Sequence, residues 1–228
     1  TAAIARINLF LHGIDDFKII RGDTLRNPAF HNNDILTKFD YVIANPPYMG
    51  NKGMNSELKD FAKKNFPNSK TDLFAIFMER AFLLLIENGY NAQVNMQSWM
   101  FLSSYEALRE SLLDTKTLVT MAHLGARAFS QISGEVVQTS AWVFNNGYLD
   151  LYKPTFLRLV SGNESQKCEA LLKRENCFSQ SRQSEFKKIP GTPIAYWLAP
   201  IAISNFDSSR SLSEYSDARS GMSSCNSE

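Results

Sequence analysis

A chain of 228 residues, 44% hydrophobic and 21% charged, carries enough apolar material for a core, which excludes a disordered tail. Its formal net charge of +1 excludes a uniformly basic polyanion binder, so any contact with nucleic acid has to come from local clusters of cations. No apolar run nears the roughly 20 residues of a membrane span and the start has no signal-type segment, so a cytoplasmic protein without a membrane partner is expected.

Taken in chain order, Ile4, Ile7, Phe10 and Leu11 recur at helical spacing, and Gly13 fits the end of that helix. Phe17 to Ile20 reads as a strand that runs into the turn Arg21-Gly22-Asp23-Thr24-Leu25. A polar loop then leads to Phe39-Asp40-Tyr41-Val42-Ile43-Ala44, which reads as a buried strand with the tetrad Asn45-Pro46-Pro47-Tyr48 hanging from its end. In a doubly wound sheet ligands collect beyond the C-terminal ends of strands, so Asp23 and Asn45 could share one crevice.

The tetrad is suited to a planar amine with a poorly available lone pair. The Asn45 side-chain oxygen and the Pro46 carbonyl could each accept one N–H and turn the lone pair toward a methyl donor. Proline at 46 and 47 fixes φ and removes two competing donors. Tyr48 offers a flat face for an extruded base, a contact worth roughly 1–3 kcal/mol. An ordinary turn is the plain alternative, since Asn and Pro both favour turns.

Beyond the tetrad, Lys52, Lys59, Lys63, Lys64 and Lys70 are opposed by Glu57 and Asp60 and read equally as a phosphate-facing loop or a solvated helix face. Asp72 caps a helix predicted over 72–85, apolar on nearly every side and buried, with Phe74 and Phe77 as core. Gly89 ends it, Asn91 to Gln97 alternates as a strand, Ser103 to Leu113 is helical, and Thr117 to Ala122 is a further strand. Val136-Val137 and Thr139 to Phe144 look like a closing hairpin with Trp142 and Phe144 on one face, where one could form a second wall against a flipped base and core packing is the expected fate of at least one. From 163 onward the composition turns to charged and amide residues, with an apolar return over 190–203 and a Ser-rich end from Ser208 to Ser224. Cys168, Cys177 and Cys225 are odd in number without Cys-x-x-Cys spacing, and His12, His31 and His123 are scattered, so neither a disulfide framework nor a metal is expected.

The tetrad, Lys70-Thr71-Asp72-Leu73-Phe74, Asn88-Gly89-Tyr90, Leu108-Arg109-Glu110 and Gln138-Thr139-Ser140-Ala141-Trp142 occur in the order seen in adenine-specific DNA methyltransferases. More closely, Gly50-Asn51-Lys52-Gly53, Gln97-Ser98-Trp99-Met100-Phe101 and His123-Leu124-Gly125-Ala126-Arg127-Ala128-Phe129 resemble the adenine methyltransferases of BREX-type phage-defence systems. The resemblance covers most of 1–160. It implies an α/β, Rossmann-like S-adenosylmethionine-dependent methyltransferase sheet with a closing β-hairpin, double-stranded DNA as partner, and other phage-defence proteins as possible company. It also implies Asn45, Pro46, Pro47 and Tyr48 as catalytic residues, with Asp23 and Asn45 at the cofactor, the Asp23 carboxylate accepting the amine of the cofactor adenine. An Asp in that place also serves as a turn former or helix cap.

The family's glycine-rich cofactor turn and ribose-binding acid are not matched, and neither is a full target-recognition domain. The expectation is therefore a fragment truncated in its cofactor half, with 1–160 as catalytic domain and 161–228 as a connecting segment. Two alternatives stay open: a noncatalytic DNA-binding or assembly piece of a defence complex, and an amino-methyltransferase acting on protein glutamine or RNA.

Overall fold

The computed structural model describes residues 2–32, 35–129, 137–208, 210 and 214–216. The helix α1 (Ala2–Leu11) forms where the spacing predicts, yet its apolar stripe stays exposed, with Ile4 at 71% and Leu11 at 74%. Phe17 to Ile20 is a correction. The segment joins no ladder among the described residues, because a strand needs a neighbour to take its backbone N–H and C=O groups. The two-residue strands β1 (His31–Asn32) and β2 (Ile35–Leu36) pair antiparallel with each other.

The main sheet is mixed and six-stranded. Strands and helices follow in the chain order β3 (Phe39–Ala44), α2 (Ser56–Asn65), α3 (Leu73–Leu83), β4 (Leu85–Met96), α4 (Glu106–Thr115), β5 (Thr117–Gly125), β6 (Thr139–Asn145), β7 (Thr155–Arg158), α5 (Glu164–Leu172), β8 (Cys177–Phe178) and α6 (Pro200–Ser208). Strand order is β3-β4-β6-β5-β7-β8. Both β4 and β5 run antiparallel to β6, while β3 is parallel to β4 and β7 to β5. The C-terminal ends of β3, β4, β5 and β7 therefore open at one edge, the α/β arrangement with a closing antiparallel pair that the resemblance implies. Val136, placed in that hairpin by the sequence, lies outside the described residues, as do Cys225 and most of the Ser-rich end.

One face of the sheet is covered by α3 and α4, whose Phe74, Met78, Leu108 and Leu112 pack with Leu118, Met121, Trp142 and Phe144. Side-chain caps stop both α2 and α3 at their starts: Asn55 accepts from Leu58 N and Asp72 from Phe74 N. On the other face Ala92, Val94, Ala122, Ala141 and Val143 are only partly buried. The strand read as buried, β3, lies at the sheet margin with Tyr41 67% and Ile43 82% exposed. Hydrophobic alternation identifies a strand but not its neighbours.

Gly89 does not end α3, which stops at Leu83; it sits inside β4, beside Asn88 at φ 60°, where a Cβ would stand 2.9 Å from the Asp40 carbonyl of β3. Glycine is required there for close approach of two backbones. The stretch read as a connecting segment contributes Phe186, Ile194 and Tyr196 to the main core, and its β8 pairs with β7. Arg109 of α4 ties this stretch down, its guanidinium donating to the carbonyls of Trp99, Leu102, Gly191 and Thr192.

Candidate active site

At the open edge, Asn45 and Pro47 are exposed, Pro46 is buried and Tyr48 is half-buried. Among the described residues no side-chain partner takes the Asn45 carboxamide and no backbone N–H reaches the Pro46 carbonyl. Both acceptors demanded of a planar-amine clamp are therefore present and uncommitted. The Tyr48 ring packs edge-on against Phe74, 6.1 Å between centroids, and its hydroxyl donates to the Val94 carbonyl at 3.3 Å. Burial raises the Tyr48 phenol above its ordinary value, so it stays protonated.

What holds the loop is Asp72. Its Oδ1 caps α3 by accepting from Phe74 N at 3.2 Å and also accepts Met49 N at 3.1 Å, directly after the tetrad. Leu73 N returns a bond to the Met49 carbonyl at 3.0 Å, and Asn51 N bonds Thr71 O at 2.9 Å. Burial raises the Asp72 carboxyl while the three backbone N–H groups of Phe74, Met49 and Leu73 oppose that rise. Sequence reasoning identified the cap and missed the clamp, because the bond spans 23 residues.

Asp23 occupies a tight turn. Its Oδ1 accepts Leu25 N and Arg26 N, both at 3.0 Å, and Oδ2 lies 3.9 Å from Arg26 Nε. Next to it an apolar cavity of about 280 Å³ opens between the 20–30 segment and β3, walled by Ile20, Phe30, Tyr41 and Val42, with Gly22 and Thr24 at its rim. Asp23 and Asn45 do not line that cavity. Of the lysines beyond the tetrad, Lys52, Lys63, Lys64 and Lys70 are exposed, and the neighbouring Glu57 is engaged by Arg26 at 2.7 Å.

The core fate expected for at least one of Trp142 and Phe144 holds for both, and the second wall is corrected. Trp142 is 2% and Phe144 0% exposed, edge-on to each other at 5.2 Å inside the core, so neither can meet a base. They alternate onto the α3 and α4 face because β6 is an interior strand. An aromatic at the correct edge is Phe129, 37% exposed, just past the end of β5.

His123 forms a buried network at the same edge. Its Nε2 lies 2.6 Å from Gln97 Oε1 and its Nδ1 2.9 Å from the Tyr196 hydroxyl. Burial first, then Arg158 and Lys167, push the imidazole down to about 4. The unfolded chain thus binds the extra proton between about pH 6.5 and 4, and stability rises with pH across that window. We expect the protein to lose roughly 2 kcal/mol at pH 5 relative to pH 7 from this group. Urea midpoints of wild type and His123→Gln across that range test it; equal slopes would remove the role.

A family model described as Eco57I restriction-modification methylase matches residues 3–129, which hold Asp23, the tetrad, Asp72 and His123. The chain belongs to the Eco57I methylase family. It is 67% identical over 172 residues, 75% of its length, to the adenine-specific methyltransferase BrxX of Escherichia coli O9:H4 (strain HS). It is 40% identical over 205 residues, 87% of its length, to the adenine-specific methyltransferase PglX of Lacticaseibacillus casei (strain Zhang). The chain spans only 14% and 17% of those two relatives. Among solved structures, the methyltransferase subunit of the type I restriction-modification system from Streptococcus thermophilus superposes with a TM-score of 0.57 at 20% identity, covering 75% of this chain and 39% of that one. A modification subunit of a putative type I restriction enzyme from Vibrio vulnificus gives 0.56 at 17%, covering 81% and 42%. These likenesses establish a methyltransferase fold for this Eco57I-family chain. Among the described residues no helix is long and apolar enough to cross a membrane.

Proposed function

We propose that this Eco57I-family chain supplies the target-amine site of an adenine-specific DNA methyltransferase working in phage defence, within residues 1–160, with 161–228 leading toward a target-recognition domain. The observation that carries the reading is the uncommitted Asn45 carboxamide beside the free Pro46 carbonyl, on a loop clamped by Asp72 at the open edge of the sheet.

The adenine must leave the duplex, at a cost of a few kcal/mol, before any side chain reaches its amine. Asn45 Oδ1 and the Pro46 carbonyl accept its two N–H groups and aim the lone pair away from the ring plane. Tyr48 stacks on the base. No strong general base is needed, because positive charge builds on nitrogen during attack and the proton leaves afterwards.

S-adenosylmethionine supplies the electrophilic methyl. The apolar slot of about 280 Å³ next to the Asp23 turn has walls suited to the flat adenine of that cofactor, and Asp23, which lies outside the slot with its Oδ2 facing Arg26, would hold the turn at its rim. Double-stranded DNA and companion defence proteins are the partners we assign.

The stacking role predicts that Tyr48→Ala weakens binding of a flipped base about 5- to 150-fold, the equivalent of 1–3 kcal/mol, while Tyr48→Phe stays near wild type. Fluorescence of 2-aminopurine at the target position reads this directly. An unaltered signal in Tyr48→Ala would move the stacking elsewhere.

A further inference from the structure

We infer that Arg80 of α3 is a positioning residue for the adenine of the cofactor, because it holds the Thr24 carbonyl at the rim of the apolar slot. The inference rests on the function proposed above and deepens its cofactor half.

The slot is built from two walls of different origin. Phe39, Tyr41 and Val42 belong to β3, whereas Gly22, Thr24 and Phe30 belong to the 20–30 segment. Among the described residues that segment pairs with no strand of the main sheet. The width of the slot is therefore set by side-chain ties and not by a ladder.

The turn at 22–27 orders itself locally. Asp23 Oδ1 accepts Leu25 N and Arg26 N, and the Asp23 carbonyl accepts Asn27 N at 2.9 Å. Bonds of this range fix the shape of a turn and leave its place in the fold open. Its place comes from outside. Leu25 is buried in a cluster with Met54, Phe66 and Ile76, and Arg26 pairs with Glu57 while its guanidinium lies 6.0 Å from the centre of the Phe61 ring. Neither Leu25 nor Arg26 lines the slot.

Thr24 does, and Arg80 reaches it. The Arg80 Nε donates to the Thr24 carbonyl at 2.9 Å, from 56 residues away in sequence. Burial lowers the Arg80 guanidinium from its ordinary value and the Asp23 carboxylate opposes that fall, so the charge as well as the donor serves this turn. A cation in the last turn of α3 also suits the helix dipole, but that role needs no partner and predicts no effect on a ligand.

The helix α3 thereby joins both halves of the site. Asp72 at its start clamps the tetrad loop through Met49, and Arg80, about 12 Å further along the helix, grips the slot rim. A rim ordered before the ligand arrives spares the entropy of ordering it on binding. Loss of the Arg80 contact weakens the hold on adenine and leaves Asn45 and Tyr48 where they are.

The test is isothermal titration of the full chain with S-adenosylmethionine and, separately, with adenosine. Arg80→Ala is expected to weaken both about tenfold, because the lost contact serves the adenine they share. Arg80→Met, which keeps the apolar stem, should show the same loss and covers the case of an alanine variant that does not fold. Arg80→Lys, which returns a donor and a charge, should recover most of the affinity. Amide hydrogen exchange of residues 22–27 should rise in Arg80→Ala while that of α3 stays as in wild type. The Tyr48-dependent 2-aminopurine signal should not change. Wild-type affinity in both Arg80→Ala and Arg80→Met overturns the inference. So does a matching loss of the 2-aminopurine signal, which would make Arg80 a residue of general stability. A wild-type chain that binds neither probe refutes the cofactor slot itself and the inference with it, an outcome distinct from a wild type and variants that all bind alike.

Discussion

Asn45→Ala is expected to lower methyl transfer about 10²- to 10³-fold and to leave the fold intact. The loss follows from removing one of two acceptors that orient the amine at the moment charge develops on it, an interaction made fully only in the transition state. The fold survives because Asn45 is exposed and its carboxamide is bonded to nothing among the described residues. The loop keeps its shape through Asp72, Met49 and Leu73, none of which touches the Asn45 side chain. The assay is transfer of labelled methyl from S-adenosylmethionine to duplex DNA by a chimera in which this chain replaces the matched segment of the Escherichia coli relative. Asn45→Asp keeps an acceptor but adds a charge, and a partial activity there would support the hydrogen-bonding role. Turnover near wild type in Asn45→Ala would sink it.

Arg109→Leu should be the most destabilising single change, by roughly 4 kcal/mol. Arg109 is fully buried, and its guanidinium satisfies four carbonyls from two segments more than 80 residues apart in sequence. Leucine fills much of the volume but orphans all four acceptors, each costing on the order of 1 kcal/mol or more when buried. Burial lowers the Arg109 pKa from its ordinary value, and the guanidinium remains charged regardless. Lysine is a poor substitute because its three donors radiate from one point and cannot match a planar fork. For a domain of this size the change corresponds to a fall in Tm of about 8–16 °C. Urea denaturation with an unchanged m-value reads it; a loss under 1 kcal/mol would mean that water replaces the guanidinium at these carbonyls.

Residues close together in the chain carried most of what could be read without coordinates. The tetrad at the end of a strand, the Asp72 cap and the α3, β4, α4 and β5 succession depend on short-range propensity and alternation, and all formed in the expected order, with β4 starting six residues earlier, at Leu85 rather than Asn91. Asp23 as a turn former was equally local, visible as an Asp followed by backbone N–H groups two and three residues on.

What sequence periodicity does not contain is neighbourhood. That β3 is a margin strand, that Phe17 to Ile20 has no ladder, and that Trp142 and Phe144 face α3 and α4 all depend on which strand lies alongside, a choice made by the whole sheet. The clamp from Asp72 to Met49 and the Arg109 bonds to Gly191 and Thr192 are likewise contacts across distance. By itself, then, the sequence placed the Asn45-Pro46-Pro47-Tyr48 tetrad, the clamp we propose for a planar amine, at the end of a strand. Only the tertiary structure decided which acceptors stay free and which aromatics are withdrawn into the core, because burial and hydrogen-bond satisfaction are properties of packed elements rather than of segments.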